Sequence, residues 1–196
     1  NPSTSSPGTP TTATPAAPTP TPAPPDPSRL DDACRTLAPW YAVAMFPGET
    51  GQTTRSRAPA VVAFPGPIAG AAAAYTHTLA TVGQVGAVYG LAYDASRHQL
   101  YAAAYHKRMT SFGLGGPGQI YRVDLATKQV EAWARLSAGT DHHSGDRDYD
   151  SGASRYVGRT SLGDIELDDV GDTLFVSNME DAHIWRVAVP GGTVLG

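Results

Sequence analysis

Two stretches of the chain carry the same string of residues, and this repeat limits the possible folds more than any other feature. The first copy runs from Asp94 through Leu100-Tyr101 to Ile120-Tyr121-Arg122-Val123. The second runs from Asp168 through Leu174-Phe175 to Ile184-Trp185-Arg186-Val187. The early halves lie 74 residues apart (Asp94 to Asp168) and the late halves 64 (Ile120 to Ile184), so the first copy carries a ten-residue insertion. Self-similarity at a fixed spacing marks stacked structural units, each too small to bury its own apolar face.

Within each copy the order is an apolar run, an Asp turn, a second run opening on Leu and an aromatic, then Ile-aromatic-Arg-Val. In the first copy the predicted strands are Val88 to Tyr93, Gln99 to Tyr105, Gln119 to Leu125 and Gln129 to Leu136. In the second they are Leu162 to Leu167, Thr173 to Asn178 and His183 to Val189, with a fourth opening after Pro190-Gly191-Gly192. Upstream, Trp40 to Phe46, Ala60 to Phe64 and Tyr75 to Val82 read as further strands, and Ile68 to Ala74 is rich enough in Ala to form a helix. The expectation is an all-β fold, a partial β-propeller. It holds two recognisable four-stranded antiparallel blades, about 87–136 and 162–196, plus part of a third within 30–196. The chain opens on Asn1 and stops at Thr193-Val194-Leu195-Gly196, in what reads as a strand. It is expected to be a piece of a longer protein.

Residues 1–29 are different in kind. They hold ten of the chain's seventeen prolines and seven threonines, with almost no large apolar side chain. Proline fixes φ and removes a donor, so a disordered, extended linker or stalk is expected. Its Thr/Ser/Pro content also suits O-linked sugar outside a cell. The single cysteine, Cys34, allows no disulfide within the chain and is expected to be a small buried apolar residue.

Charge narrows the partners. The net charge of -4 and the absence of basic clustering beyond Lys107-Arg108 argue against nucleic acid. The most apolar run, Ile68 to Ala74, is far shorter than the roughly 18 residues a membrane helix needs, so no membrane insertion is expected. No Gly-x-Ser-x-Gly nucleophile turn occurs, and Gly113 to Gly118 contains Pro and precedes a strand, unlike a phosphate-binding loop.

The run Val85 to Asp94, the stretch Leu100 to Arg108, Gly115 to Tyr121 and Gly163 to Leu167 together resemble the propeller region of bacterial surface proteins that carry SdrD B-like repeats. More broadly they are similar to YVTN/NHL-type propellers. The resemblance spans roughly residues 77–190 and implies a secreted or cell-surface-associated protein without an assigned reaction. The SdrD B-like repeats themselves are not present here.

Three groups could carry chemistry. Asp146, Asp148 and Asp150 alternate in an acidic loop and offer hard oxygen ligands that suit calcium. The loop departs from an EF-hand, since Gly152 falls one place late and Val157 stands where a bidentate Glu is needed. Asp164 and Glu166 share one face of a first strand, where some propeller enzymes hold a divalent metal. His142 and His143 are adjacent and diverge, so they make a poor shared zinc site. Arg122 and Arg186 hold equivalent places in the two copies and are expected to be structural. The reading is a non-catalytic extracellular module for binding or structural assembly. It would present loops 106–118 and 139–161 to a protein or glycan partner, or to neighbouring subunits. The alternatives are a metal-dependent, lactonase- or lyase-like propeller enzyme using Asp164 and Glu166, and a subunit of an extracellular filament or sheath.

Overall fold

The structure, a computed structural model, describes residues 40–48, 56–66, 76–145 and 149–196. The Pro/Thr-rich segment, Cys34, Ile68 to Ala74, Asp146 and Asp148 lie outside the described residues. Three antiparallel sheets follow one another along the chain. The first contains β1 (Trp40–Ala44), β2 (Pro59–Pro65) and β3 (His77–Thr81) in that order. A single helical turn, α1 (Val82–Val85), leads out of it, with the Gln84 side chain accepting the Thr81 N–H at 2.9 Å. This turn was not legible from apolar periodicity, being too short to show any.

The second sheet is β4 (Val88–Asp94), β5 (Gln99–Ala104), β6 (Gln119–Asp124) and β7 (Val130–Arg135). The third is β8 (Leu162–Leu167), β9 (Thr173–Asn178), β10 (His183–Ala188) and β11 (Thr193–Val194). In each, every strand pairs with the next in sequence, so all three are up-and-down meanders. The strands match the sequence expectation to within two residues at almost every end, because the Asp and Gly turns punctuate them. At the first-copy turn, Asp94 Oδ1 accepts the Ser96 and Arg97 amides at 2.9 and 3.0 Å. At the equivalent turn, Asp168 Oδ1 accepts the Asp172 amide at 2.8 Å. The first is an Asx turn, and in both a short carboxylate replaces a backbone acceptor, Asp168 reaching the amide four residues on.

The sheets stack face to face, and the second lies in the middle. Along β5, Leu100, Ala102 and Ala104 pack against Val61, Leu79 and Val85 of the first layer. Tyr101 and Ala103 point the other way and meet Leu162, Ile165 and Leu174 of the third sheet. Both faces of β5 are therefore covered, which explains why its sequence is a continuous apolar run instead of an alternation. Burying both sides of one strand contributes roughly 25 cal/mol per Å² of apolar surface removed from water.

Backbone meets backbone where β4 passes β8. A Cβ on Gly90 would sit 2.6 Å from the Ile165 nitrogen and 2.8 Å from the Asp164 Cα. Only glycine lets the first strands of the two copies approach this closely. The turns of the copies are also tied: Arg97 donates to the Gly171 carbonyl at 2.7 Å and lies 3.3 Å from Asp172. No described helix is long and apolar enough to cross a membrane.

Candidate functional site: a histidine cluster between two loops

In a meander, alternate connections emerge at the same end. The β5–β6 connection and the long β7–β8 connection therefore leave the sheets side by side. Tyr105 forms an isolated antiparallel bridge with Ser161. The next amide, on His106, donates to the Ser161 side chain at 2.7 Å. His106 is thereby carried from the end of β5 into the interior, where it is fully buried. The Gly-rich connection is itself anchored, since Gly86 bridges Phe112 and Lys107 bridges Thr110.

Around His106 the long connection folds back. The His142 amide donates to His106 Nε2 at 3.2 Å. The His143 ring stacks on the His106 ring at 4.6 Å between centroids and 4° between planes. Phe112 stands edge-on to both rings. His142 turns outward and stacks on Tyr156 at 5° between planes. The sequence expectation that His142 and His143 diverge is met, but His106, 36 residues upstream, supplies the partner that local spacing could not reveal.

Asp141 completes the group. One of its oxygens accepts the His143 amide at 2.9 Å and faces His143 Nδ1 at 2.6 Å. His143 Nε2 lies 3.0 Å from the Lys107 carbonyl. The two rings are in opposite electrostatic situations. Burial pushes the His106 pKa down to about 4, and the neighbouring His143 adds to the effect. Burial pulls His143 down too, but the Lys107 carbonyl and the Asp141 carboxylate outweigh it, so its pKa is raised.

Asp150, one of the three acids of the acidic loop, belongs to this neighbourhood in a structural way. It is buried; one oxygen accepts the Met109 amide at 2.7 Å and the other the Ser144 amide at 3.0 Å. Those bonds more than offset burial and hold its carboxyl below the usual range. Both oxygens are thus engaged in pinning the two connections together. Asp164 and Glu166 lie one strand step apart on the exposed face of β8, as expected. Asp164 accepts the adjacent Ile165 amide at 3.0 Å. Among the described residues the one group of three metal-ligating side chains is His106, Asp141 and His143, so Asp164 and Glu166 gain no third ligand. Arg122 pairs with Glu131 across β6–β7, whereas Arg186 contacts the Gly196 carbonyl. The equivalent arginines therefore do not share a partner.

No protein-family model matches the chain. It is similar to two proteins of Dictyostelium discoideum. One is Colossin-A, at 33% identity over 109 residues, half of this chain and 1% of the relative. The other is Colossin-D, at 27% identity over 122 residues, 57% of this chain and 13% of the relative. The chain thus spans a small fraction of the length of both.

Proposed function

We propose that this chain is part of a β-propeller that works as a non-catalytic binding or assembly module at a cell surface or outside the cell. The observation that carries this reading is the stacking of three successive antiparallel meanders with β4 and β8 in backbone contact at Gly90. Blades of a propeller stack in this way, each covering the apolar face of its neighbour. The resemblance to propellers of bacterial surface proteins and the Pro/Thr-rich linker support the extracellular placement.

The functional surface is the end of the stack where loops 106–118 and 139–161 meet. Rigid strands hold these loops, and large apolar side chains such as Leu114 and Tyr149 stand exposed on them. Assembly has its own support. Phe175 and Ile184 occupy in the second copy the places of the fully buried Tyr101 and Ile120 in the first, yet they are solvent-exposed. A further sheet of the same kind, from this protein or a neighbouring subunit, would cover them.

The test is a glycan array and a purified-envelope binding assay on the intact chain, run with Leu114→Ser and Tyr149→Ser. Saturable binding that falls at least about tenfold in the loop variants supports the reading, as loss of interface anchors should. Turnover of a lactone or uronate panel by the wild-type chain contradicts a non-catalytic module.

A further inference from the structure

The third sheet repeats the second but carries its charges in different places. In the second sheet one cross-strand row runs Ala92, Tyr101, Arg122, Glu131, and Glu131 neutralises Arg122. The equivalent row of the third sheet is Glu166, Phe175, Arg186, so the acid has moved from the fourth strand to the first. Arg186 turns its Nε to the Gly196 carbonyl, and among the described residues the Glu166 carboxylate has no partner. Beside this row lie Asp164, Ser177 and Ile184, with Asp164 at the place that Gly90 holds in the first copy. The third sheet seats on the second because no Cβ stands at Gly90, where one would be 2.6 Å from the Ile165 nitrogen. A further repeat seated on the third sheet in the same way would run into the Asp164 side chain. It would also bury two carboxylates, which is costly without a counter-charge. The face that carries Phe175 and Ile184 therefore calls for a different cover.

We propose that the outward face of the third sheet binds the same face of a second copy of this chain, about a two-fold axis parallel to the strands. A two-fold contact uses one patch twice, so the patch must complement itself. This face does. It is acidic along β8 at Asp164 and Glu166, apolar at Phe175 and Ile184, and basic on β10 at Arg186. An axis running along β9, midway between sheets about 10 Å apart, lays β8 of one copy over β10 of the other. Glu166 and Asp164 of each copy then face Arg186 of the second copy, and the two Phe175 rings meet at the axis. The alternative two-fold, across the strands, would set β8 over β8 and oppose four carboxylates, so charge selects the first. An apolar centre ringed by charged groups is also the usual anatomy of such a contact. Only a handful of side chains on one sheet face take part, which places the dimer in the weak class, with a dissociation constant on the order of 100 µM. At micromolar concentration the chain is a monomer and the face is wet. This rests on the assembly reading above and deepens it, since it makes the cover a second copy instead of a further repeat.

The experiment is sedimentation of the intact chain over a concentration series reaching about 1 mM, where a contact of this strength is mostly formed. The expected result is a monomer–dimer equilibrium with no larger species, because a two-fold contact closes on itself. Arg186→Glu and Glu166→Arg should each weaken the dimer by at least about tenfold, since each sets like charges opposite one another. The double variant Glu166→Arg/Arg186→Glu should restore it, because the swapped charges again meet their opposites in the second copy. All three substitutions fall on an exposed face, and a melt of each variant at micromolar concentration checks that the fold is kept. A wild-type chain that stays monomeric throughout the series overturns the proposal. So does growth beyond the dimer, or a double variant as weak as the single ones. A monomer that still binds a glycan or envelope through its loops sinks this proposal alone. A dimer whose loops bind nothing keeps it and removes the loop-binding part of the reading above.

Discussion

The two copies of the repeat spell nearly the same residues but live in different surroundings. In the first copy, Tyr101 and Ile120 are fully enclosed between the second and third sheets. In the second copy the corresponding Phe175 is 40% exposed and Ile184 71% exposed. Leu100 and Leu174, by contrast, are buried in both. The motif therefore sets which side each residue faces, while the neighbouring sheet sets whether that side is dry. A sequence repeat fixes register and direction; stacking supplies the energy.

The largest effect should come from removing the close approach that brings the copies together. Gly90→Val places a branched side chain against the β8 backbone at Gly163, Asp164 and Ile165, where nothing flexible can give way. We expect the second and third sheets to separate, read as loss of the cooperative thermal transition of the wild-type chain. A transition within a few degrees of wild type would show that the two strands do not meet as described.

The comparison itself is sharpened by one pair of substitutions. Tyr101→Ala should cost about 3–5 kcal/mol, as for other large enclosed aromatics. Phe175→Ala should cost about 1 kcal/mol or less, because its ring is already half in water. Denaturant midpoints at constant slope measure both. Equal losses would mean that the face of the third sheet is as well covered as that of the second.

A smaller effect links the copies through their turns. Burial pushes the Asp94 carboxyl up, but hydrogen bonds from Ser96 and Arg97 and the Arg97 charge more than compensate, so its pKa is lowered. A depressed carboxylate contributes stability that is present above its ordinary value of 3.8 and lost as pH falls through the folded-state value. Asp94→Ala should therefore lower stability by about 1–3 kcal/mol at neutral pH. The gap to wild type should narrow in melts taken below pH 4 or so. A gap that stays constant down to acid pH would remove the carboxylate from the account.

Much of the fold was legible because its signals are local. Asp94 and Asp168 mark turns by their own side-chain bonds, and the runs between them alternate or repeat at a fixed offset. The site was legible only in part. Asp150 was singled out, yet its oxygens prove to be structural acceptors for Met109 and Ser144. His106 gave no signal of its own, since it reads as one polar residue after an apolar strand. What makes it part of a cluster is the return of the chain 36 residues later, and spacing rules for metal or catalytic residues see only neighbours on one element. The insertion in the first copy falls beside this cluster, at 106–118, which is the one sequence hint that the loop end of the stack had been elaborated.

The most direct measurement of the account is native-state hydrogen exchange on this chain, resolved by segment. The amides of β5 and β6, in the sheet covered on both faces, should exchange only through global unfolding. Those of β9 and β10 should exchange through smaller, local openings, since one face of their sheet is exposed. Equal protection in the two copies, or stronger protection of β9 and β10, would contradict the claim that stacking on both sides distinguishes them.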